Sequence, residues 1–536
     1  MTKSLSRATA VMSLGTILSR VTGLLRITAI AAAFGVLESG GLSDTYNLAN
    51  TAPNIVYELV LGGILTSVFV PVFVELLAKE GKERAWEVAS AVINISLVVL
   101  VAISALGILA APLITRLYSS GLEGTAEQIA HQKESLTFLL RLFIPQIIFY
   151  GLTAITAGLL NAHKRFGAPM YTPVLNNLAV IAVFLAFRQA YPTVTVGAVT
   201  TTQLWIVGVG TTAGVALMAI AQLPFLRGLG RYRFSLSLRH PSVGKLARLS
   251  VFVVGYVIAN QIGYLIVQWL AYRETGDYTA YVFAFAFFML PHGLFAVSII
   301  TALLPDMSGH ASAERWGEFV DRLSTGIRTT AFLVFPAAIG YFVLGEGIVR
   351  LLIEYGRMSN ASTELVAGVL RFFVLGLLPF SLFQLFLRAF YALQDTKTPF
   401  LINCAAVALN TAINFPLYAW LGARGLAAGH ALAYWFGATV QGRSLARRLG
   451  GLDGRRVGRS LARIMAAAGL MGAVVWGVWR VLETTLDPAG LLEEALAVGV
   501  PVTVGAVAYL LLARLLGIEE LDHVRSLVAR RVRPTG

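Results

Sequence analysis

Two arginines stand inside the first long apolar stretch of the chain, residues 8–35. Arg20 lies near the middle of this stretch, and Arg26 follows six residues later. A stretch of this length can span a bilayer, where an arginine near the centre costs at least about 2.5–3.5 kcal/mol. Arg20 is too deep to reach either surface easily, so we expect a water-filled cavity that receives an anion. Pairing inside the helix bundle, for packing alone, is the alternative interpretation.

The next apolar stretch adds a set of amide side chains. Asn47, Asn50 and Asn54 are three and four residues apart and therefore share one face of a helix. They could contact a substrate, or they could form hydrogen bonds to a neighbouring helix. Arginine is the preferred residue for bidentate phosphate contacts, and acids are scarce in these stretches. The residues alone therefore indicate a transporter for an anionic, phosphate-bearing substrate.

Signatures of enzymes and of metal sites are missing from the sequence. It has no HExxH, GxSxG or Walker A motif, and its seven histidines are scattered. The single cysteine, Cys404, excludes an intramolecular disulfide. We therefore predict that the chain is not an enzyme and uses no metal and no cofactor.

The composition assigns these residues to a membrane protein. The chain has 536 residues, 57% of them hydrophobic and only 13% charged, and a mean hydropathy of +0.74. Soluble domains carry nearer 25% charged residues. The net charge of +14 could suggest a nucleic acid partner, but the basic residues lie in short loops between apolar stretches. Membrane orientation explains them better, and we predict no nucleic acid partner.

Fourteen apolar segments are long enough to span a bilayer, and they predict helices because lipid offers the backbone no hydrogen-bond partners. Basic residues concentrate in alternate loops, including the clusters at 227–248 and 443–463, which places both termini in the cytoplasm. This cytoplasmic charge also favours anionic membrane lipids. The approximate segment limits are 8–35, 46–77, 87–117, 135–160, 170–190, 200–226, 247–272, 279–306, 327–354, 363–393, 398–421, 425–446, 460–481 and 490–516.

A weak internal repeat relates the two halves of the chain. Trp86 and Trp316 are 230 positions apart, as are Pro169 and Pro399. We predict an all-α polytopic membrane protein with two six-helix lobes related by a pseudo-two-fold axis, and with the transport site between the lobes. The predicted parts are an N-lobe at 1–226, a linker with the C-lobe at 227–448, and a C-terminal helix pair with a basic tail at 449–536.

Several short motifs resemble the MviN/MurJ family of lipid II flippases, within the multidrug/oligosaccharidyl-lipid/polysaccharide exporter superfamily. Together they cover about residues 10–400 in order, and the fourteen segments agree with this family. The motifs are Ser19-Arg20-Val21 with Gly23 and Arg26, Asp44, Pro53-Asn54, Phe69-Val70-Pro71 with Glu75, Leu303-Leu304-Pro305, Glu354-Tyr355-Gly356-Arg357, and Arg388 with Phe390-Tyr391-Ala392 and Asp395-Thr396-Lys397-Thr398-Pro399.

The resemblance implies a multi-pass protein of the bacterial inner membrane that carries lipid II to the outer leaflet for peptidoglycan synthesis. It implies a cationic central cavity and a groove for the lipid tail on the last two helices. The implied substrate-binding residues are Ser19, Arg20, Arg26, Asp44 and Asn54, and the implied motif or gating residues are Arg388, Asp395 and Lys397. The chain departs from the family at Ile27, where an acid is common, and at Tyr57 and Ala286, where cavity arginines are expected.

Three other functions remain open at this stage. A relative could move another polyprenyl-diphosphate-linked glycan, because the cavity has fewer cations than the family pattern. A drug or cation antiporter of the same superfamily would need acids in the cavity, which this sequence lacks. A membrane scaffold for cell-wall synthesis proteins would suit the basic C-terminal tail but leaves the arginines within the membrane unexplained.

Overall fold

Apolar stretches fold into helices throughout the described part of the chain, as the need for internal backbone hydrogen bonds in lipid dictates. The computed structural model describes residues 3–57, 73, 77, 79, 81–230, 232, 234, 241–486 and 490–522, and it contains no strand among them. The first nine helices are α1 (Lys3–Phe34), α2 (Leu42–Tyr57), α3 (Gly81–Tyr118), α4 (Ala126–Phe143), α5 (Gln146–Ala162), α6 (Gly167–Ala190), α7 (Thr201–Ile220), α8 (Pro241–Ala271) and α9 (Asp277–Pro291).

A short π-helical turn at His292–Ala296 follows α9 and leads into the remaining helices. These are α10 (Val297–Ser312), α11 (Trp316–Ile353), α12 (Asn360–Val374), α13 (Leu377–Ala392), α14 (Lys397–Leu421), α15 (Ala423–Leu449), α16 (Gly454–Leu486) and α17 (Leu491–Leu515).

The described residues contain ten helical stretches that are long and apolar enough to cross a membrane. The pair α12 and α13, bent by 47°, makes an eleventh if it is counted as one span. Of the other three predicted segments, 247–272 coincides with α8 and 425–446 lies on α15. Segment 46–77 begins on α2, and most of its second half lies outside the described residues. The prediction of an all-α polytopic membrane protein is therefore confirmed.

The chain forms two compact units. Unit 1 consists of Met1–Thr279 with Ile353–Ser362, and unit 2 consists of Ala280–Leu352 with Thr363–Gly536. The predicted division into parts at 226 and 448 remains a prediction.

Aromatic rings fill one end of the interior of unit 1. Tyr46 of α2 is fully buried and makes edge-to-face contacts with Phe34, Phe143 and Phe184 at centroid distances of 5.1–5.8 Å. The Tyr46 hydroxyl lies 2.9 Å from the Thr211 hydroxyl. This cluster joins residues of α1, α2, α4, α6 and α7. Its ring contacts therefore hold α1 and α2 against the other three helices.

Unit 2 has an aromatic cluster around His430 of α15. The rings of Phe285, Phe288, Phe373 and Tyr434 surround this imidazole at centroid distances of 4.7–5.7 Å. In the same unit, α16 and α17 pack on α11, where the Tyr509 hydroxyl donates a hydrogen bond of 2.8 Å to the Phe332 carbonyl.

The internal repeat is visible in local backbone structure. Helix α5 ends at Ala162 and α6 begins at Gly167, whereas α13 ends at Ala392 and α14 begins at Lys397, each 230 positions later. Both junctions place a non-glycine residue in the left-handed region, Lys164 with φ 59° and Gln394 with φ 57°. The next residue then donates to a carbonyl five positions back in each case, which is the hydrogen bond of a Schellman helix end.

Candidate functional site

The two arginines of α1 lie in unit 1 and point in different directions. Arg26 follows Arg20 by six positions, so on an ideal helix the directions of the two side chains differ by about 120°. Arg20 is exposed on the surface of the unit, whereas Arg26 is half-buried and interacts electrostatically with the Tyr46 hydroxyl. The Nε atom of Arg26 is buried and has no hydrogen-bond partner among the described residues.

No carboxylate in the described part of the chain forms an ion pair with Arg20 or Arg26. Helix α1 carries no acid, and the acids with resolved ion pairs bind other basic residues. The donors of a guanidinium group are well suited to the oxygens of an anion. The role of Arg20 and Arg26 in substrate binding stays a prediction.

The orientation of α1 is set by its contact with α6. The Asn177 side-chain amide donates to the Ser19 carbonyl at 3.2 Å and to the Thr22 hydroxyl at 3.0 Å. At Gly15, an added Cβ would lie 2.8 Å from the Cβ of Met170, so the two helices approach closely there. The predicted site residue Ser19 therefore contributes its backbone to this contact, which fixes the directions of the adjacent arginines.

Asp44 occupies the first turn of α2 and is almost completely buried. Its Oδ2 accepts the Gly276 N–H at 2.6 Å and its Oδ1 accepts the Thr279 N–H at 2.8 Å. These donors stand at the beginning of α9, where unpaired backbone N–H groups and the helix dipole favour a carboxylate. Asp44 thus fastens the start of α2 to the start of α9.

Further polar contacts connect α2 with residues at the junction of α8 and α9. The Thr45 hydroxyl lies 2.9 Å from the Tyr272 hydroxyl, and the Asn47 amide donates to the Thr279 hydroxyl at 3.2 Å. The Tyr278 hydroxyl donates to Thr51 at 3.2 Å. The N-terminal half of α2 is therefore tied to the α8–α9 junction by side chains on successive turns.

The three asparagines of α2 have different environments. Asn47 forms the interhelical hydrogen bond that the sequence left open as an alternative. Asn54, a predicted site residue, is half-buried and donates to the Asn50 carbonyl of its own helix at 3.2 Å. The Asn50 Oδ1 is buried with no hydrogen-bond partner in the structure. The nearby motif residues Phe69, Val70, Pro71 and Glu75 lie outside the described residues.

The predicted gating motif lies in unit 2 at the α13–α14 junction. Asp395 accepts the Thr398 N–H at 3.0 Å, the Thr398 hydroxyl at 2.8 Å and an Arg448 donor at 2.7 Å. Burial alone would raise the pKa of Asp395, but these hydrogen bonds and the Arg448 charge lower it below its ordinary value. The structure brings Arg448 to this motif, which the sequence did not indicate.

The other two motif residues remain accessible. Arg388 is exposed, with its guanidinium carbon 5.8 Å from the centre of the Tyr391 ring, and Lys397 is exposed at the start of α14. Asp395 therefore has a defined structural contact, whereas the gating roles of Arg388 and Lys397 stay predictions.

Sequence reasoning missed a cluster in the loops of unit 1. Glu38, between α1 and α2, accepts hydrogen bonds from the Val36 N–H, the Ser359 N–H and the Ser362 hydroxyl at 2.8–3.0 Å. Arg357 donates to the Glu38 carbonyl at 3.1 Å and to the Val194 carbonyl. Of these residues, only Arg357 belongs to a motif that the sequence analysis identified, the Glu354–Arg357 motif. Nothing near Glu38 in the chain identifies its hydrogen-bond partners.

Comparison with known proteins relates this architecture to one family. A family model described as lipid II flippase MurJ matches residues 30–496. A probable lipid II flippase MurJ of Rhizobium tropici is 28% identical over 521 residues, covering 96% of this chain and 94% of the relative. A lipid II flippase MurJ of Burkholderia cenocepacia is 30% identical over 449 residues, covering 79% and 80%.

Solved structures give the same assignment of fold. A lipid II flippase MurJ in an inward closed conformation matches with a TM-score of 0.76 at 22% identity, covering 96% of this chain and 99% of that one. An inward-facing multidrug resistance MATE family transporter matches with a TM-score of 0.65 at 14% identity, covering 83% and 98%. Fold, motifs and the match over most of the sequence agree: the chain belongs to the MurJ family of lipid II flippases.

Proposed function

We propose that this chain moves lipid II, the polyprenyl-linked peptidoglycan precursor, from the inner to the outer leaflet of the bacterial inner membrane. Family membership supplies the substrate. The observation on this chain that carries the proposal is the Arg26 guanidinium, which is half-buried in an apolar helix with an unbonded Nε. Keeping such a group costs free energy in a membrane, so a function is the default interpretation.

A diphosphate suits these arginines chemically. Its oxygens accept several hydrogen bonds, and guanidinium groups match phosphate geometry with two parallel donors. Arg20 and Arg26 point about 120° apart, so they can line a broad surface and contact different parts of a large anionic headgroup. We assign direct substrate contact to these two residues and leave Ser19 a positioning role through its carbonyl.

Orientation and further partners belong to the same proposal. The distribution of basic residues supports a cytoplasmic position for both termini. The basic segment at 525–533 would then be available to cell-wall synthesis proteins on that side. Because the family is one of transporters, we propose no catalysed reaction for this chain.

Complementation tests this function. A host strain is depleted of its own flippase, this chain is expressed, and lipid II on the outer surface is measured with an added enzyme that cleaves lipid II and cannot cross the membrane. We expect the chain to restore cleavable lipid II. A second arm supplies a different polyprenyl-diphosphate-linked glycan and measures its exposure.

The expression level and membrane insertion of the chain are measured in the same cells. Correct insertion without any rise in exposed lipid II would overturn the proposal. Exposure of the other glycan, with lipid II remaining inside, would assign the chain to that substrate instead.

A further inference from the structure

We propose that unit 2 contains a phosphate-binding site, separate from the arginines of α1, where α11, α16 and the end of α17 meet. Two adjoining cavities of about 270 and 60 Å³ lie there. Both are lined by Arg328, Arg456, Glu519 and Glu520. The larger one greatly exceeds the space that a single water molecule needs. This inference does not depend on lipid II transport.

The inner wall of the site is built from buried polar groups. Arg328 of α11 is 5% exposed and pairs with the buried Glu520 and, at 3.3 Å, with Glu519. Its Nε is buried without a hydrogen-bond partner in the structure, and so is the hydroxyl of the adjacent Thr329, which is also 5% exposed. Buried donors of this kind are costly unless a ligand or water completes their hydrogen bonds.

Basic residues of α16 form the outer wall. Arg456 donates to Glu519 at 2.8 Å, and Arg463 donates to the Gly517 carbonyl at 2.9 Å. Arg459 is exposed and lines the smaller cavity, and it forms no ion pair with another described residue. Arg322, which belongs to α11, also lines the larger cavity. It forms an ion pair at 3.6 Å with Asp306, which does not line the cavity.

The charges around the site favour an anion. Five arginines line the two cavities together with three carboxylates, those of Asp321, Glu519 and Glu520. The hydrogen bond from Arg456 holds the pKa of Glu519 below its ordinary value. The excess of two positive charges favours a phosphate group, either the singly charged phosphodiester of a lipid or a doubly charged phosphate, and arginine is well suited to its oxygens.

Two sources could supply this phosphate. Helices α16 and α17 are membrane-spanning, and basic groups at the end of such helices attract anionic lipid headgroups. A soluble phosphate compound is the other source. Both present the same oxygens to Arg459, Arg463 and the unbonded donors of the inner wall, so experiment must separate them.

Thermal unfolding of the full chain tests the site. The purified protein is reconstituted in vesicles of phosphatidylcholine, of phosphatidylcholine with phosphatidylglycerol, or of phosphatidylcholine with sodium phosphate, with sodium chloride at matched ionic strength as a reference. We expect phosphatidylglycerol or phosphate to raise the unfolding midpoint in a saturable way. Selective stabilisation by phosphatidylglycerol identifies a lipid headgroup, and stabilisation by phosphate identifies a soluble ligand.

Matched variants locate the effect. Arg459→Gln should weaken the apparent affinity about tenfold, the loss expected for one charge-assisted hydrogen bond, and Arg459→Lys should restore part of it. Arg455→Gln, an exposed arginine of the same helix end that does not line the cavities, should bind like the wild type. The proposal is overturned if neither probe exceeds the chloride reference, or if Arg455→Gln and Arg459→Gln lose binding equally.

Discussion

The carboxylate of Asp44 and the backbone N–H of Gly276 form a hydrogen bond of 2.6 Å, although 232 positions separate them in the chain. The second carboxylate oxygen accepts the Thr279 N–H at 2.8 Å, so no oxygen of Asp44 lacks a donor. Asp44 therefore stabilises the first turn of α9. We predict that Asp44 supports transport by holding this contact.

Replacing Asp44 tests that inference. Asp44→Ala leaves two buried N–H groups without an acceptor, at a cost of about 1–3 kcal/mol each. We expect the amides of residues 276–279 to exchange hydrogen for deuterium faster, and lipid II exposure to fall. Mass-spectrometric hydrogen exchange on the reconstituted protein measures the first effect.

The control for this experiment is Glu127→Gln, which changes an exposed acid in the first turn of α4. It should leave exchange at 276–279 unchanged. Unaltered exchange in Asp44→Ala would mean that the contact contributes nothing to the stability of α9.

Removing the Arg26 side chain should abolish transport. Arg26→Ala eliminates the unbonded Nε donor and the charge, so exposed lipid II should fall to the level of cells with an empty vector while protein abundance stays normal. Arg84→Ala, which removes an exposed arginine paired with Glu87, should transport normally. Normal transport by Arg26→Ala would make Arg26 a packing residue.

The Glu38 contact should weaken in acid. Burial of this carboxyl raises its pKa, but the hydrogen bonds from Ser359, Ser362 and the Val36 N–H outweigh that effect and leave the pKa below its ordinary 4.5. A lowered pKa stabilises the fold above pH 4.5, and this contribution disappears as the pH falls through the lowered value.

Glu38→Gln removes that titration. Between pH 6 and pH 3.5, its unfolding midpoint should fall less than the midpoint of the wild type, and at pH 6 it should be the less stable protein. Parallel curves for the two proteins would show that ionisation of Glu38 does not stabilise these loops.

Close packing of α1 on α6 predicts that substituting two glycines of α1 by alanine changes the stability of the protein by different amounts. At Gly15 a new methyl group would meet the Met170 Cβ at 2.8 Å, whereas at Gly23 the nearest atom, the amide nitrogen of Asn177, is 3.7 Å away. Gly15→Ala should destabilise the protein by about 1–3 kcal/mol through overpacking, and Gly23→Ala should be neutral. Thermal unfolding in matched detergent measures both, and equal stability of the two variants would contradict the described helix contact.

The sequence by itself determined the class of fold and the placement of the helices. Long apolar runs must become helices in lipid, so wherever the structure describes the predicted segments, they lie on helices. The repeat was also readable, because the residues around Pro169 and Pro399 end and begin helices at the same offset in both halves. Arg20 and Arg26 could be identified because a charge in an apolar run is detectable without knowing its neighbours.

Only the tertiary structure decided what the polar residues contact. Asp44 accepts a hydrogen bond from Gly276, Glu38 accepts one from Ser359, and Arg328 forms an ion pair with Glu520. Each pair joins residues that are far apart in the chain. Hydropathy and helical periodicity describe which residues share a face of one helix, but they do not reveal which helix lies opposite that face. The partner of a buried polar group is set by how helices pack in three dimensions, and the structure supplies that information.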